Sequence, residues 1–166
     1  LLANTIEVIN LNDSGLGSLR YSINIAINGD SIVFNPNLIT NGSDTLVLNS
    51  SIYFSKSITI KGLFNSKDTL FISGNNSNSI FKIDFPDYSN HLTFENLYLI
   101  NAYSEREGGA ISIKKCKKVI IVNCFFQNNT ALSGGGGISV MNTSLISSSP
   151  ICSLTINQSK FINNIG

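Results

Sequence analysis

At 166 residues the chain has the length of one domain and can bury a substantial core without disulfides or metals to staple it. Hydrophobic residues make up 42% and charged residues only 13%, which excludes a disordered chain and leaves 23 Asn and 24 Ser to supply the polarity. A net charge of +1 provides no electrostatic footprint for nucleic acid or an anionic membrane, and no stretch approaches the roughly 20 apolar residues of a membrane-spanning helix.

The opening LLAN is too short for a signal peptide but has the character of a trace left near a cleavage site. In SLRYSINIAING (18–29), Leu19, Ile23, Ala26 and Ile27 stand at helical spacing with Gly29 as a stop, predicting one amphipathic helix. Ile23, Ile25 and Ile27 also alternate, so a strand is the competing reading. Short β-branched or aromatic runs follow: SIVF (31–34), TLVL (45–48), SITI (57–60), TLFI (69–72), SIFKI (79–83), HLTFENLYL (91–99), AISI (110–113), VIIV (119–122), GISV (137–140) and SLTI (153–156). Each is bounded by Asn, Gly, Ser or Asp, so the chain is all-β. The basic run KKCKK (114–118) reads as a solvated turn between strands.

A shift of 27 residues lays LTFENLYLINA (92–102) on VIIVNCFFQNN (119–129), and a shift of 35 lays the latter on LTINQSKFINN (154–164). Apolar columns result (Leu92, Val119, Leu154; Phe94, Ile121, Ile156; Leu99, Phe126, Phe161), with polar columns between them (Asn96, Asn123, Gln158; Asn101, Asn128, Asn163). A period this long, holding several four-residue strands, predicts a parallel β-solenoid of about six coils, each position stacking on itself every ~4.8 Å. The apolar columns form the core, and the corner Asn columns form ladders, each side-chain amide donating to the next coil's carbonyl. The helix caps the open N-terminal end. The extra residues of the second period, TSLISSSP (143–150), read as a protruding loop. The glycine pairs before AISI and GISV are expected to take positive φ at tight corners. Domain organisation follows as one β-helix over 1–166, with a cap (1–30), early coils (31–90) and repeat-bearing coils (91–166).

Those repeats carry a resemblance. GGAI (Gly108, Gly109, Ala110, Ile111) and GGGI (Gly135, Gly136, Gly137, Ile138), paired with Phe-x-x-Asn (Phe126 with Asn129, Phe161 with Asn164), resemble the signature of the chlamydial-type polymorphic outer membrane proteins. The passenger regions of that family are right-handed parallel β-helices, so the resemblance implies that the solenoid is a right-handed, single-stranded parallel β-helix with an N-terminal capping helix. DSGLGSLRYSINIAINGDSIVF (13–34) with SITIKG (57–62) is similar to the opening of secreted bacterial β-helices of the pectin-lyase-like superfold, where the GSLR helix caps the first coil. The resemblance implies the N-terminal part of a longer chain at the extracellular or cell surface (the outer membrane in a Gram-negative source). It implies a non-catalytic adhesin or autotransporter-passenger-like stalk, meeting a host or neighbouring cell surface or a second copy of itself. The competing implication is the front part of a carbohydrate-active enzyme whose catalytic coils lie beyond residue 166.

Chemistry is sparse. Glu105 and Glu107, flanking Arg106, are the only local acidic pair; on an extended chain they would share a face and could contact a sugar or cation. His91 stands without a nucleophile partner, and neither a cofactor motif nor a metal-ligand spacing occurs. No flat column of repeated Thr-x-Thr is visible, which counts against ice binding. Seven glycosylation sequons occur, at Asn12, Asn41, Asn49, Asn75, Asn128, Asn142 and Asn157. The 35-residue register puts Cys116 opposite Ile151 and one residue from Cys152, near the Cα separation a disulfide accepts. A Cys116–Cys152 bridge and three free thiols both remain open. Cys124, in the column of Leu97 and Ser159, is expected to pack as a small inert side chain.

Overall fold

The computed structural model describes residues 2–39, 42–63, 69–141 and 151–166; the predicted loop 143–150 and the sequons at Asn41 and Asn142 lie outside them. The strands, in chain order, are β1 (Thr5–Val8), β2 (Ser31–Phe34), β3 (Ser43–Val47), β4 (Ile52–Phe54), β5 (Thr59–Lys61), β6 (Thr69–Ser73), β7 (Phe81–Asp84), β8 (His91–Glu95), β9 (Tyr98–Ile100), β10 (Tyr103–Ser104), β11 (Ile111–Lys114), β12 (Lys118–Val122), β13 (Phe125–Gln127), β14 (Thr130–Ala131), β15 (Ile138–Met141), β16 (Ser153–Asn157) and β17 (Lys160–Ile162). Among the described residues one α-helix, α1 (Leu19–Ile25), lies between β1 and β2, and a 3-10 turn (Pro36–Leu38) follows β2.

All pairing is parallel. The first sheet runs β1-β2-β5-β8-β12-β16, the second β3-β6-β9-β13-β17, the third β4-β7-β11-β15, and β10 with β14 forms a short corner pair. From β2 onward each turn of the chain visits the three sheets in that order, the first turn carrying α1 instead, so the molecule is a parallel β-solenoid of about five turns. That is one fewer than the expected six or so: six strands stack in the first sheet, and the chain needs only five turns to visit it six times.

The apolar columns close in register: Val119 pairs Leu92 and Leu154, Ile121 pairs Phe94 and Ile156, and Phe126 pairs Leu99 and Phe161. Inside the stack these side chains are sealed, with Val119, Ile121 and Phe126 at 0% exposure. On the last rung the same columns are open: Leu154, Ile156 and Phe161 are 40%, 41% and 43% exposed. Alternation is the cause, since every second residue of a strand points inward and only a neighbouring rung can cover it.

Helix α1 covers the other end. Ser18 caps it, its hydroxyl accepting the Tyr21 N–H, and Leu19 and Ile23 are buried against the core. It is shorter than predicted: Ala26 is extended, so Ile27 leaves the apolar face and is 40% exposed. Two cations tie the cap down. The Arg20 guanidinium donates to the Ser50 and Ser51 carbonyls (2.7 and 3.0 Å) while paired with Asp13 (2.6 Å), and Lys56 Nζ donates to the Ile23 and Asn24 carbonyls (3.0 and 2.6 Å) at the helix C-terminus.

The corners overturn two expectations. Positive φ is supplied mainly by the polar columns: Asn96, Asn123 and Gln158 have φ of 57, 52 and 51°, and Asn101, Asn128 and Asn163 have 50, 55 and 52°. Asn tolerates the left-handed region better than other residues with a side chain, which explains the composition. Of the glycine pairs, only Gly108 has positive φ; Gly109, Gly135 and Gly136 do not. They are needed because backbones touch: a Cβ on Gly109 would lie 2.1 Å from the Gly136 carbonyl oxygen, and one on Gly136 would lie 2.1 Å from that of Ile165. The second correction concerns the ladder. Asn123 Nδ2 donates to the Asn96 side chain (2.7 Å), whereas the amide-to-carbonyl ladder is made by the Phe-x-x-Asn residues and points to the preceding coil. Asn129 Nδ2 donates to Leu99 O and Asn164 Nδ2 to Phe126 O, at 3.0 and 2.9 Å.

Candidate functional site

The outer face of the third sheet is the floor of a groove. Because Ile52, Phe81 and Ile111 point inward, Tyr53, Lys82 and Ser112 point outward, and strand register sets them side by side. Asp84 and Lys114 form the next outward column. The wall is the segment Tyr103–Glu107, which leaves β10 and bends before Gly108. A volume of about 810 Å³ lies between them, within the range of ligand clefts.

Glu105, Arg106 and Glu107 all line this groove. They lie on a bend and not on the extended chain expected from their alternation. Ser104 holds the bend: its hydroxyl accepts the Arg106 N–H (3.2 Å) and donates to the Glu107 carbonyl (3.2 Å). Asp84, facing them, is paired with Lys115 at 3.4 Å. Tyr53 is 70% exposed, with Lys82 Nζ 5.6 Å from its ring centroid, a cation–π arrangement that settles the ring without covering it. His91 begins β8 on the first sheet, where its backbone N–H donates to Ser57 Oγ, far from this groove in the fold. Among the described residues no group of three or more His, Cys, Asp or Glu gathers to hold a metal.

Of the repeat residues, Gly108 and Gly109 directly follow the wall, and none lines the groove itself. Gly108 and Gly109 let the wall turn back into β11, and Asn129 and Asn164 hold the coil edge behind it. Gly137 stands where the preceding coil has Ala110, and there a Cβ would come within 3.0 Å of the Phe161 ring, which stacks on Phe126 at 4.5 Å. The extra glycine makes room for the aromatic column.

The three cysteines divide. Cys116 and Cys152 are joined, with Sγ atoms 2.02 Å and Cα atoms 5.3 Å apart. The one-residue offset falls just before β12 and β16, whose first residues, Lys118 and Ser153, pair. Cys124 is free and buried; its N–H donates to Ser159 Oγ at 3.0 Å, and burial pushes its thiol pKa up to about 11.

The first sheet carries one further surface. Thr5, Ser31, Thr59, Thr93, Ile120 and Thr155 stack in one column, a hydroxyl row interrupted at Ile120 and hidden in the sequence by unequal coil lengths. Its neighbour holds Glu7, Val33, Lys61, Glu95, Val122 and Asn157, with Lys61 and Glu95 ion-paired at 3.0 Å, so no paired Thr-x-Thr array exists.

Tyr53 and Lys82 were not singled out from sequence. Strand β4 is three residues between serines and has almost no pattern of its own; an aromatic between two apolar neighbours in Ile52-Tyr53-Phe54 is the signal that marks it. No protein-family model, no curated protein and no solved structure matches this chain.

Proposed function

We propose that this chain is a secreted or cell-surface, non-catalytic β-solenoid of the polymorphic outer membrane protein kind, acting as a stiff stalk with adhesive faces. The observation that carries the reading is the use made of its acids. Asp13 pairs Arg20, Asp84 pairs Lys115 and Glu95 pairs Lys61; Asp30 accepts the Asn4 and Ile27 N–H groups, Asp44 that of Thr45, and Asp87 that of Ser89. Carboxylates spent on corners and ion pairs build a scaffold. The Cys116–Cys152 bridge favours an oxidising compartment. A second reading, sugar cleavage, is favoured by one observation, the presence of Glu105 and Glu107 in one groove.

Beads coated with the protein test both readings. Clustering of beads or attachment to cultured cells is expected, with no release of reducing or unsaturated sugar from polygalacturonate, xylan or cellulose, with or without calcium. Beads that neither cluster nor attach would remove the adhesive reading. Sugar release that disappears in Glu107→Gln would put the enzyme in its place.

A further inference from the structure

Within the third sheet β7 and β11 are bonded on both sides, and β4, its edge strand, has the cap helix α1 beside it, with Arg20 on the Ser50 and Ser51 carbonyls, so an occupant lying across the floor is held by side chains. Those side chains have a definite chemistry. Bases (Lys82, Arg106, Lys114) and acids (Asp84, Glu105, Glu107) line the groove in equal number, floor and wall each carrying both signs, so no uniform field draws a polyanion or a polycation. What remains is an exposed aromatic ring on β4 and, on the backbone bend that Ser104 holds, a wall of two carboxylates and a guanidinium. Hydroxyl pairs can be bridged by a carboxylate or guanidinium, and the C–H face of a sugar ring stacks on an aromatic.

We propose that this groove binds a neutral oligosaccharide, with Tyr53 as its stacking platform and Glu105, Arg106 and Glu107 as its hydroxyl partners. The floor crosses β4, β7 and β11, two inter-strand steps or about 10 Å, so it takes a short run of a longer chain. The proposal rests on the adhesive reading and gives one adhesive face its ligand.

The test is titration of the isotope-labelled protein with cellohexaose, xylohexaose, maltohexaose and chitohexaose, and with hexagalacturonate as the charged comparison, followed by amide NMR. At least one neutral hexasaccharide should bind and shift amides of β4, β7 and the 103–107 wall. Tyr53→Ala removes a ring that is 70% exposed, so the fold survives, and it should weaken binding about tenfold. Glu107→Gln should weaken it too. The proposal is overturned if no neutral sugar binds, if hexagalacturonate alone binds, or if Tyr53→Ala binds equally well. Beads that attach to cells while no sugar binds would remove the groove and leave the adhesive reading; sugar binding without attachment would do the reverse.

Discussion

Asn129 and Asn164, one coil apart, share a side-chain hydrogen bond: Asn129 Nδ2 donates to Asn164 Oδ1 at 2.9 Å, and Asn129 is wholly buried. The same amide donates to Leu99 O (3.0 Å) while its oxygen accepts the Ala102 N–H (2.9 Å), so one side chain joins three successive coils. Removing it strands backbone polar groups in the interior. Asn129→Ala should cost about 3 kcal/mol by urea unfolding, with an unchanged denaturant slope. Asn164→Ala, on the half-buried last rung, should cost less than half as much. Equal costs would mean that burial of the ladder does not set its strength.

Gly109 and Gly134 separate two reasons for glycine. A Cβ at Gly109 meets the Gly136 carbonyl at 2.1 Å, while at Gly134, with φ of 87°, nothing lies closer than 3.5 Å. Gly109→Ala should destabilise by about 3 kcal/mol through forced coil separation, and Gly134→Ala by about 1 kcal/mol through left-handed strain alone. Thermal midpoints of the two variants decide it; reversal of their order would show that the coils part easily at Gly109.

Thiol counting on denatured, unreduced protein should find one thiol, Cys124. In the native state at pH 8 that thiol should resist iodoacetamide, because it is buried and its pKa is raised to about 11. A raised pKa favours the protonated folded form, so this contribution to stability is whole below the thiol's ordinary pKa and is lost as pH rises through about 11. Cys152→Ser, which opens the bridge, should cost about 3 to 4 kcal/mol. Three thiols in the denatured protein would rule the bridge out.

Asp30 holds the cap to the first coil, and the Ile27 and Asn4 N–H groups it accepts keep its carboxyl below the usual range. A depressed pKa contributes stability that is present above the ordinary carboxylate pKa and lost as pH falls through the lowered value. Asp30→Asn should therefore flatten the acid limb of the stability profile. An unchanged acid limb would show that the carboxylate's charge is not used.

Deleting residues 1–30 uncovers the core under α1 and leaves β2 as an open edge. The truncated protein should aggregate, since uncapped solenoid ends expose apolar surface and unpaired strand. A soluble monomer from that deletion would count decisively against the capping role.

Sequence alone determined the class of this protein. Columns of apolar residues recurring after 27 and 35 residues require a coil that returns to the same place, and the paired register of Val119 with Leu92 and Leu154 follows from that recurrence. Buried strands read well because their inward side chains must be apolar, whatever the length of the connections. What the tertiary structure decided lies where contacts are made between coils. Whether Gly109 serves φ or a close approach depends on the Gly136 carbonyl of the next coil, and whether Asn128 or Asn129 forms the ladder depends on which of two adjacent amides faces inward. The groove belongs to the same group. Tyr53 and Lys82 come from two coils and Glu107 with Ser112 from a third, and only the stacking of those coils, with its unequal loops, brings an exposed ring, a cation, a hydroxyl and a carboxylate onto one face.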